Sequence, residues 1–525
     1  MTMPLATAIA VHSENAFENW NNQMADVLDN AYSHSIAWVL IVVLLGVGLY
    51  FTVVTRGVQI RMFPQMLRVV FKSRKGSRGG ISSFQAFAIG VADRVGTGNI
   101  AGVALAIVAG GAGAIFWMWI VALVGMATAF IESTLAQVFK IRNADGTFRG
   151  GPAYFIQRGL GSRAGGIIFA ILLIFAYGFS FQMIQANTLA QVAQSSFNVQ
   201  PWVSAIILLL LTAPFFLGGV RPVARLAEFL APMMACAYLL IAIAVVVKHH
   251  DQIGPVFASI FSGAFGMREA TGGTAAGLLV ALEQGTKRGL FSNEAGMGSA
   301  PNAAATATVR HPVTQGLIQS LGVFVDTMIV CSCTAFIVLV GGIYKPGQTD
   351  ADVSGAALTT QSVGTLGDWT PALMFVIIAA FAYSTLLGNY TYAEGNIKYL
   401  LGIDNNAMIV KILCIISVGL GAILPLKAAW SIADWATAFM AIVNLVAICL
   451  LSKWALGALR DWEHQGKNAD ESYFCSTDNP FLPGELHTHV WDAESVAADR
   501  AHDLAEAGKP HPHREFTEEL VENDF

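Results

Sequence analysis

The chain alternates long apolar segments with short polar loops over most of its 525 residues. A membrane-spanning helix needs about 20 mostly apolar residues. Eleven segments meet this length, near 36–54, 84–108, 114–139, 165–189, 202–218, 228–247, 273–304, 317–341, 370–395, 408–424 and 431–451. The pattern also predicts a short surface or re-entrant helix over 255–269. The fold class that follows is an all-α polytopic membrane protein with eleven transmembrane helices.

Two of the predicted spans are interrupted by glycine and polar residues. The first interruption is the run Gly96–Asn99, and the second extends from Gly285 to Gly298. Lipid cannot satisfy the backbone groups that a broken helix exposes, so a break survives only where protein or a cavity surrounds it. Such breaks are the best sequence pointer to the binding site of a transporter.

The positions of the two breaks indicate an internal symmetry. The second break lies five spans after the first, and an odd offset reverses the orientation in the membrane, as an inverted repeat requires. We therefore predict one N-terminal span followed by a five-plus-five inverted repeat with two discontinuous helices. The predicted parts are an extracytoplasmic segment (1–35), the first span with a basic cytoplasmic loop (36–80), the two five-helix repeats (81–247 and 248–452, the second with the external re-entrant segment) and a cytoplasmic tail (453–525).

Composition and charge support a membrane protein and orient it. Only 12% of the residues are charged and the mean hydropathy is +0.57, whereas a soluble domain carries roughly 25% charged residues. The loop after the first span contains seven basic residues and no acid: Arg56, Arg61, Arg68, Lys72, Arg74, Lys75 and Arg78. By the positive-inside rule this loop is cytoplasmic, which places the N-terminus outside and the C-terminus in the cytoplasm. We expect a multi-pass protein of the cell inner membrane. Basic residues form no single patch, so no nucleic-acid partner is expected.

The first break offers sites for a cation and for an anionic group. The half-helix before it ends near Asp93, and carbonyls such as those of Ala92 and Val95 lose their helical partners there. The negative end of its dipole favours a cation. The second half begins near Asn99, where free amide groups suit a carboxylate. A glycine-rich packing face is the alternative interpretation, but it leaves the polar side chains in the same turns unexplained.

Three further segments carry polar side chains within predicted spans. Ser384 and Thr385 offer adjacent hydroxyl oxygens for a hard monovalent cation, although such pairs often bond to their own helix instead. Asn389 lies one turn later on the face of Thr385. Gln185 contacts solute or holds helices together, and Asn293 of the second break is a candidate solute contact.

Several ionisable residues lie in or near the predicted spans. Intramembrane charges are functional candidates, but Lys287, Arg288 and Glu294 could instead pair with one another as a structural lock. Glu132 and Asp326 are expected near span ends as partners of loop arginines.

Several long motifs in order resemble the alanine or glycine:cation symporter family, the bacterial sodium:alanine symporters. The resemblance runs from about residue 59 to 451. Its pieces are DRVGTGNIAGVALAI, GGAGAIFWMW, GMATAFIE, FRGGPAYFI, KRGLFSNEAGMGSAPNAA, FVDTMIVC and FAYSTLLGNYTYAE. It implies the five-plus-five fold typified by the bacterial leucine transporter.

The resemblance also implies a set of binding residues. A sodium site would consist of the carbonyls of Ala92 and Val95 with the hydroxyls of Ser384 and Thr385, and Asn99 would be a second sodium ligand or a substrate contact. The residues expected around the amino acid are Thr97, Gly98, Asn99, Gln185, Asn293, Thr385 and Asn389. The chain departs from the family at two places, with Asn389 where many members carry Trp and Ala112 where many carry Pro.

The resulting prediction is a sodium-coupled symporter that imports alanine or glycine by alternating access. Its expected partners are the amino acid, the sodium ion and the lipid bilayer, with no cofactor besides the coupling ion and no catalytic residue. The alternatives are a polytopic membrane hydrolase, for which Ser292 with Glu294 is the local candidate, and a symporter for another neutral amino acid such as glutamine or serine. The oligomeric state is not predicted.

Overall fold

The structure is a computed structural model that describes residues 23–72, 81–143, 146–218, 220–266, 274–345, 355–402, 407–467, 472–486 and 488–506. It is predominantly helical, with one two-stranded antiparallel hairpin, β1 (Ile141–Arg142) and β2 (Phe148–Arg149).

The helices of the first half include the first break. They are α1 (23–34), α2 (Ile36–Val54), α3 (Val58–Arg61), α4 (Phe63–Lys72), α5 (Ser83–Arg94), α6 (Val103–Gly110), α7 (Gly113–Val138), α8 (Pro152–Gly159), α9 (Arg163–Phe175), α10 (Phe181–Phe197), α11 (Pro201–Gly218), α12 (Val220–Lys248) and α13 (Ile253–Ala264).

The helices of the second half include the second break and the C-terminal segment. They are α14 (Thr274–Asn293), α15 (Ala300–Thr306), α16 (Pro312–Val323), α17 (Ser332–Val340), α18 (Ala356–Gly364), α19 (Thr370–Leu401), α20 (Met408–Ile423), α21 (Leu426–His464) and α22 (Ala493–Glu506). Wider π-helical turns precede α6, join α9 to α10 and join α16 to α17, at Gly98–Gly102, Ala176–Ser180 and Phe324–Cys331.

Seven helices of the described part are long and apolar enough to cross a membrane, or up to nine if each sharply bent pair counts as one span. One bent pair is α5 with Gly98–Gly110, at 47°, which is the predicted first broken span. The other turns by 82° into α13, which occupies most of the segment 255–269 predicted as a surface or re-entrant helix; residues 267–269 lie outside the described residues. Two predicted spans fall outside this count, because α14 carries several charged residues and α20 has only 16 residues. The total of eleven therefore stays a prediction.

The core of the bundle is built around α7. This helix packs along α14 and α16, and also contacts α2 and α21. Its residues from Gly125 to Val138 are all buried. The two broken helices therefore lie against a continuous helix, which can hold the ends of each break in register.

Part of the segment predicted as a cytoplasmic tail (453–525) packs against the helix bundle. Helix α21 continues to His464, and the segment from 472 packs back onto the bundle. Trp491 is 3% exposed and donates its Nε1–H to the carbonyl oxygen of Gln137 at 2.9 Å. Phe474 is fully buried, and its backbone N–H donates to the carbonyl of Arg310 at 2.9 Å. Two large apolar side chains thus anchor an otherwise polar segment.

A buried histidine lies where this segment meets α21. The ring of His311 packs between Trp462 and Phe474, at centroid distances of 5.0 and 5.2 Å. Its Nδ1 accepts from the backbone of Val313, and its Nε2 lies 3.1 Å from a carboxylate oxygen of Asp461. Burial lowers the pKa of His311, against the opposing effect of that carboxylate. A neutral imidazole that accepts at Nδ1 and donates at Nε2 satisfies both contacts.

Candidate functional site

The first break lies where the glycines and polar residues predict it. Helix α5 ends at Arg94, and regular α-helix resumes at Val103 after the turn Gly98–Gly102. The backbone N–H of Gly96 donates to the side-chain oxygen of Asn99 at 3.0 Å, so the side chain closes the gap in the ladder. Val95 has φ −76° and ψ 79°, which directs its carbonyl away from the helix.

The hydroxyls of α19 meet the carbonyl end of α5. Ser384 Oγ donates to the carbonyl oxygen of Ala92 at 3.3 Å, and Thr385 Oγ1 donates to those of Ala92 and Asp93 at 3.2 Å each. Both side chains are buried, at 1% and 3% exposure. Ser384 also bonds to the carbonyl of Phe381 in its own helix. The predicted partners of a cation are therefore neighbours in space although almost 300 residues separate them along the chain.

The amide of Asn99 connects the first break to the second broken helix and to the span that follows. It donates to Asp326 Oδ1 at 2.5 Å and to Ser292 Oγ at 3.0 Å. Ser292 in turn donates to Asp326 Oδ2 at 2.6 Å and lies 2.9 Å from the sulfur of Cys331. Asp326 is fully buried in the turn Phe324–Cys331, in the middle of the span formed by α16 and α17, and its partners are Asn99 and Ser292. Its expected place near a span end beside loop arginines is therefore wrong.

Thr97 and Gln185 form a second polar contact at the first break. Thr97 donates through its hydroxyl and its backbone N–H to the side-chain oxygen of Gln185, at 2.8 and 3.3 Å. Gly98 leaves room for an aromatic ring, because a Cβ there would lie 2.9 Å from Phe291. Phe291 packs between Phe181 and Trp430, at centroid distances of 4.5 and 4.7 Å. These rings cover the break on its predicted outer side.

The second break is shorter than its sequence suggests. Helix α14 continues through Gly285 and Gly289 to Asn293, and α15 begins at Ala300. The residues between them include Glu294, Gly296 and Gly298, with φ of 58°, 89° and 83°. Glycine tolerates this left-handed conformation, whereas a glutamate there is strained.

Glu132 of α7 supports this second break. Its carboxylate accepts the N–H of Gly296 at 3.1 Å and the side-chain amide of Asn444 at 2.8 Å, and that amide also donates to the carbonyl of Gly296. Because these partners occupy both carboxylate oxygens, the expected pairing of Glu132 with loop arginines is also wrong. Asn293 Oδ1 accepts the N–H of Ala295 at 3.0 Å.

The expected lock among Lys287, Arg288 and Glu294 does not form. Arg288 makes a bidentate pair with Asp434 of α21, with both distances at 3.1 Å, and Lys287 lies 2.7 Å from the same carboxylate. Glu294 accepts instead from the hydroxyl of Ser299 at 2.6 Å. The cations thus join α14 to α21 on the predicted outer side of the aromatic cover.

Asn389 is fully buried, and neither atom of its side-chain amide has a hydrogen-bond partner among the described residues. It lies one turn after Thr385 on the same face of α19.

The predicted site residues fall into two groups joined through the first break. Ala92, Ser384 and Thr385 meet on the predicted cation side, and Thr97 and Gln185 meet on the predicted solute side. Asn293 and Asn389 make no hydrogen bond to another predicted site residue in the described part of the chain. Sequence reasoning named Asp326 but expected it to pair with a loop arginine near a span end, although an acidic residue in the apolar run FVDTMIVC is itself a signal for a functional position. Glu132, in the run GMATAFIE, was likewise expected to pair with a loop arginine, and it supports the backbone of the second break instead.

The sequence also matches a known family of membrane transporters. The model of the "sodium:alanine symporter family" matches residues 20–476. The chain belongs to the sodium:alanine symporter family. The match covers both breaks and α19, and it ends before most of the docked C-terminal segment.

Alignments with several relatives cover most of this chain and nearly the full length of each relative. It is 43% identical over 459 residues to the amino-acid carrier protein AlsT of Bacillus subtilis, which covers 87% of this chain and 96% of the relative. It is 43% identical over 438 residues to the probable sodium/glutamine symporter GlnT of the same organism, covering 83% and 90%. It is 37% identical over 437 residues to the sodium/alanine symporter AgcS of Methanococcus maripaludis, covering 82% and 95%.

Family membership makes the chain a multi-pass membrane transporter rather than an enzyme. The hydrolase alternative is wrong, and the geometry agrees. Ser292 donates to Asp326, whereas Glu294 accepts from Ser299, so the two candidate catalytic groups serve different partners.

Proposed function

We propose that the protein couples the inward movement of sodium to the uptake of a small neutral amino acid, alanine or glycine. The observation that carries this proposal is the meeting of Ser384 and Thr385 with the carbonyl end of α5, within 3.3 Å. Hydroxyl and carbonyl oxygens suit a hard monovalent cation, and the helix end adds the favourable pole of its dipole. In this proposal Ala92, Val95, Ser384 and Thr385 bind the ion.

The amino acid binds on the other side of the same break. Its carboxylate would face the start of the second half-helix at Thr97 and Gly98, where backbone N–H groups favour an anion. Asn99 would serve as a sodium or carboxylate contact, because Asp326 fixes its amide at 2.5 Å. Gln185, Asn293, Thr385 and Asn389 complete the proposed pocket.

Alternating access would open and close the two ends of the broken helices. On the outer side the pair Arg288–Asp434 and the ring of Phe291 cover the site. On the inner side the backbone N–H of Thr308 donates to the carbonyl of Ile81 at 3.0 Å, which ties the start of α5 to the end of α15. Breaking one closure while the other persists exposes the site to one side at a time. The proposed orientation has the N-terminus outside and the C-terminus in the cytoplasm.

Uptake into proteoliposomes tests this proposal. Labelled alanine and glycine should accumulate when a sodium gradient is imposed and not when only a potassium gradient is imposed. Asn99→Ala should abolish sodium-driven uptake, and Thr385→Ala should nearly abolish it at a sodium concentration that half-saturates the wild type, while each protein still purifies as a single species. Wild-type uptake in either variant would remove that residue from the proposed site.

A second candidate substrate class rests on Asn389. A buried amide without a partner costs free energy unless a ligand satisfies it, and the side-chain amide of glutamine or the hydroxyl of serine could do so. A competition panel distinguishes the two classes. If glutamine or serine displaces labelled alanine more strongly than glycine does, and Asn389→Leu reverses that order, the polar substrate is the correct one.

A further inference from the structure

The centre of the protein contains more buried carboxylates than cations. Asp93, Glu132, Glu294 and Asp326 are each at most 2% exposed, and Arg94 is the cation with which all four interact electrostatically. A buried charge without a partner is strongly destabilising. Each of these carboxyls is therefore either neutralised by a proton or balanced by a positive charge in this region.

Two of these carboxylates have their oxygens satisfied. Glu132 accepts from Gly296 and Asn444 on its two oxygens, and Asp326 accepts from Asn99 and Ser292 on its two oxygens. Asp93 differs, because neither of its carboxylate oxygens accepts a hydrogen bond from any described residue. An acceptor of this strength buried without a donor indicates a missing positive partner.

Three side chains that carry oxygen atoms, Glu294, Tyr177 and Tyr392, are neighbours of Asp93. Glu294 interacts with it electrostatically, and the hydroxyl of Tyr392 faces it. The hydroxyl of Tyr177 faces Glu294, and the rings of Tyr177 and Tyr392 lie 5.4 Å apart. Both hydroxyl oxygens are buried without a hydrogen-bond partner in the described part of the chain.

Helix α19 leaves room at this point. A Cβ at Gly388 would lie 3.0 Å from Cβ and Cγ of Asp93, so only a glycine fits against the carboxylate. Gly388 follows Thr385 by about one turn, towards the end of α19 that is cytoplasmic in the proposed orientation. Arg94 does not close the site, because its one hydrogen bond in the described part of the chain goes from Nη1 to the carbonyl of Gln319 at 3.3 Å.

We propose that Asp93 and Glu294, with the hydroxyls of Tyr177 and Tyr392, bind a sodium ion distinct from the ion beside Thr385. This inference rests on the proposed sodium symport. The site lies about one turn inward of the first ion, so an ion released from Thr385 towards the cytoplasm meets Asp93 next. The negative charge of Asp93 would balance the positive charge of the ion, which neutral hydroxyl and carbonyl ligands do not.

Equilibrium binding of radioactive sodium to the purified full-length protein in detergent tests the proposal. Asp93→Asn keeps the shape of the side chain and removes its charge, and it should bind one sodium ion fewer per protein than the wild type at saturation. Glu294→Gln should lose the same ion. Glu132→Gln is the matched control, because Glu132 is equally buried but has partners on both oxygens, and it should keep the wild-type number.

Accumulation in proteoliposomes gives a second measurement that does not depend on binding in detergent. Each coupled ion multiplies the maximal accumulation of solute by the sodium gradient, so under a gradient of about tenfold the variant Asp93→Asn should reach a limit about tenfold lower. Size-exclusion chromatography establishes that each variant is folded.

Three results separate the outcomes. An unchanged number of bound ions and an unchanged accumulation limit in Asp93→Asn would overturn the second site and leave the first intact. An unchanged number of sodium ions with loss of uptake driven by a pH gradient would also overturn it, since the carboxylate would then carry a proton. A wild-type protein that transports without binding sodium would refute the proposed function itself.

Discussion

The contact of Thr385 with α5 allows a sharp test of the proposed ion site. Replacing Thr385 by Val keeps the branched shape of the side chain and removes the hydroxyl. The wild-type hydroxyl oxygen lies 3.2 Å from two carbonyl oxygens whose helical ladder has ended. The variant therefore removes one oxygen ligand from the proposed site while the packing between α19 and α5 is retained.

The size of the expected loss in sodium affinity follows from the charge of the ion. Interactions of a polar group with a charged partner contribute about 1.5–3 kcal/mol. Loss of one such interaction corresponds to a decrease in sodium affinity of about 10- to 150-fold. Because the side chain is only 3% exposed, solvent would not replace the missing oxygen. The sodium concentration at half-maximal uptake should rise by this factor, and the maximal rate at saturating sodium should change much less.

The assay is alanine uptake into proteoliposomes over a range of external sodium concentrations. Thr385→Ser is the matched control, because it retains the hydroxyl and loses only a methyl group, and its sodium dependence should stay within a few-fold of the wild type. If Thr385→Val and Thr385→Ser show the same sodium dependence, the hydroxyl does not bind the ion and the proposed site is incorrect.

Three further outcomes are expected. Gly96→Ala should abolish uptake, because its Cβ would lie only 3.3 Å from two side-chain carbons of Thr385 and even closer to its hydroxyl; uptake at wild-type rate would show that the break can shift. Trp491→Ala should increase hydrogen exchange of the docked C-terminal segment by about 100-fold or more, since loss of a buried tryptophan costs about 3–5 kcal/mol. The control is Trp369→Ala, whose side chain is 64% exposed, and it should leave the exchange rate of that segment unchanged. Burial lowers the pKa of His311 in the folded state, so the unfolded chain binds the extra proton first and thermal stability should fall as the pH drops below about 6.5; His311→Gln should remove this part of the pH dependence.

The first break could be predicted from the sequence because its signals are local. The run Gly96–Asn99 places helix-breaking and polar residues in an apolar segment, and lipid permits this only inside a protein. The contact of Ala92 with Ser384 and Thr385 came from the family resemblance and not from spacing, since almost 300 residues separate them. A pairing between distant segments has no periodicity that a single sequence reveals.

The second break was predicted to begin at Gly285, but the helix continues to Asn293, and the difference has a physical reason. Gly285 and Gly289 allow close packing of α14 on α7 rather than a helix break, because a Cβ at Gly285 would lie 2.7 Å from that of Trp117, and one at Gly289 3.4 Å from Met118. In a membrane helix, glycine serves both packing and breaks, so its presence alone does not distinguish them. The break follows Asn293, where positive φ occurs at Glu294.

Asp326, which sequence reasoning placed near a span end, explains how the ion side and the solute side of the site could be coupled. Asp326 binds Asn99 of the first break and Ser292 beside the second, so a movement of one half-helix changes the position of the other. In the proposed mechanism, sodium beside Thr385 fixes the carbonyl end of α5, and the amino acid fixes the start of the next half-helix. Each ligand then favours the same arrangement of the break, and the free energy of binding one improves the binding of the other. Coupling of this kind needs no direct contact between ion and solute, because the break from Gly96 to Asn99 connects the two positions and transmits the constraint.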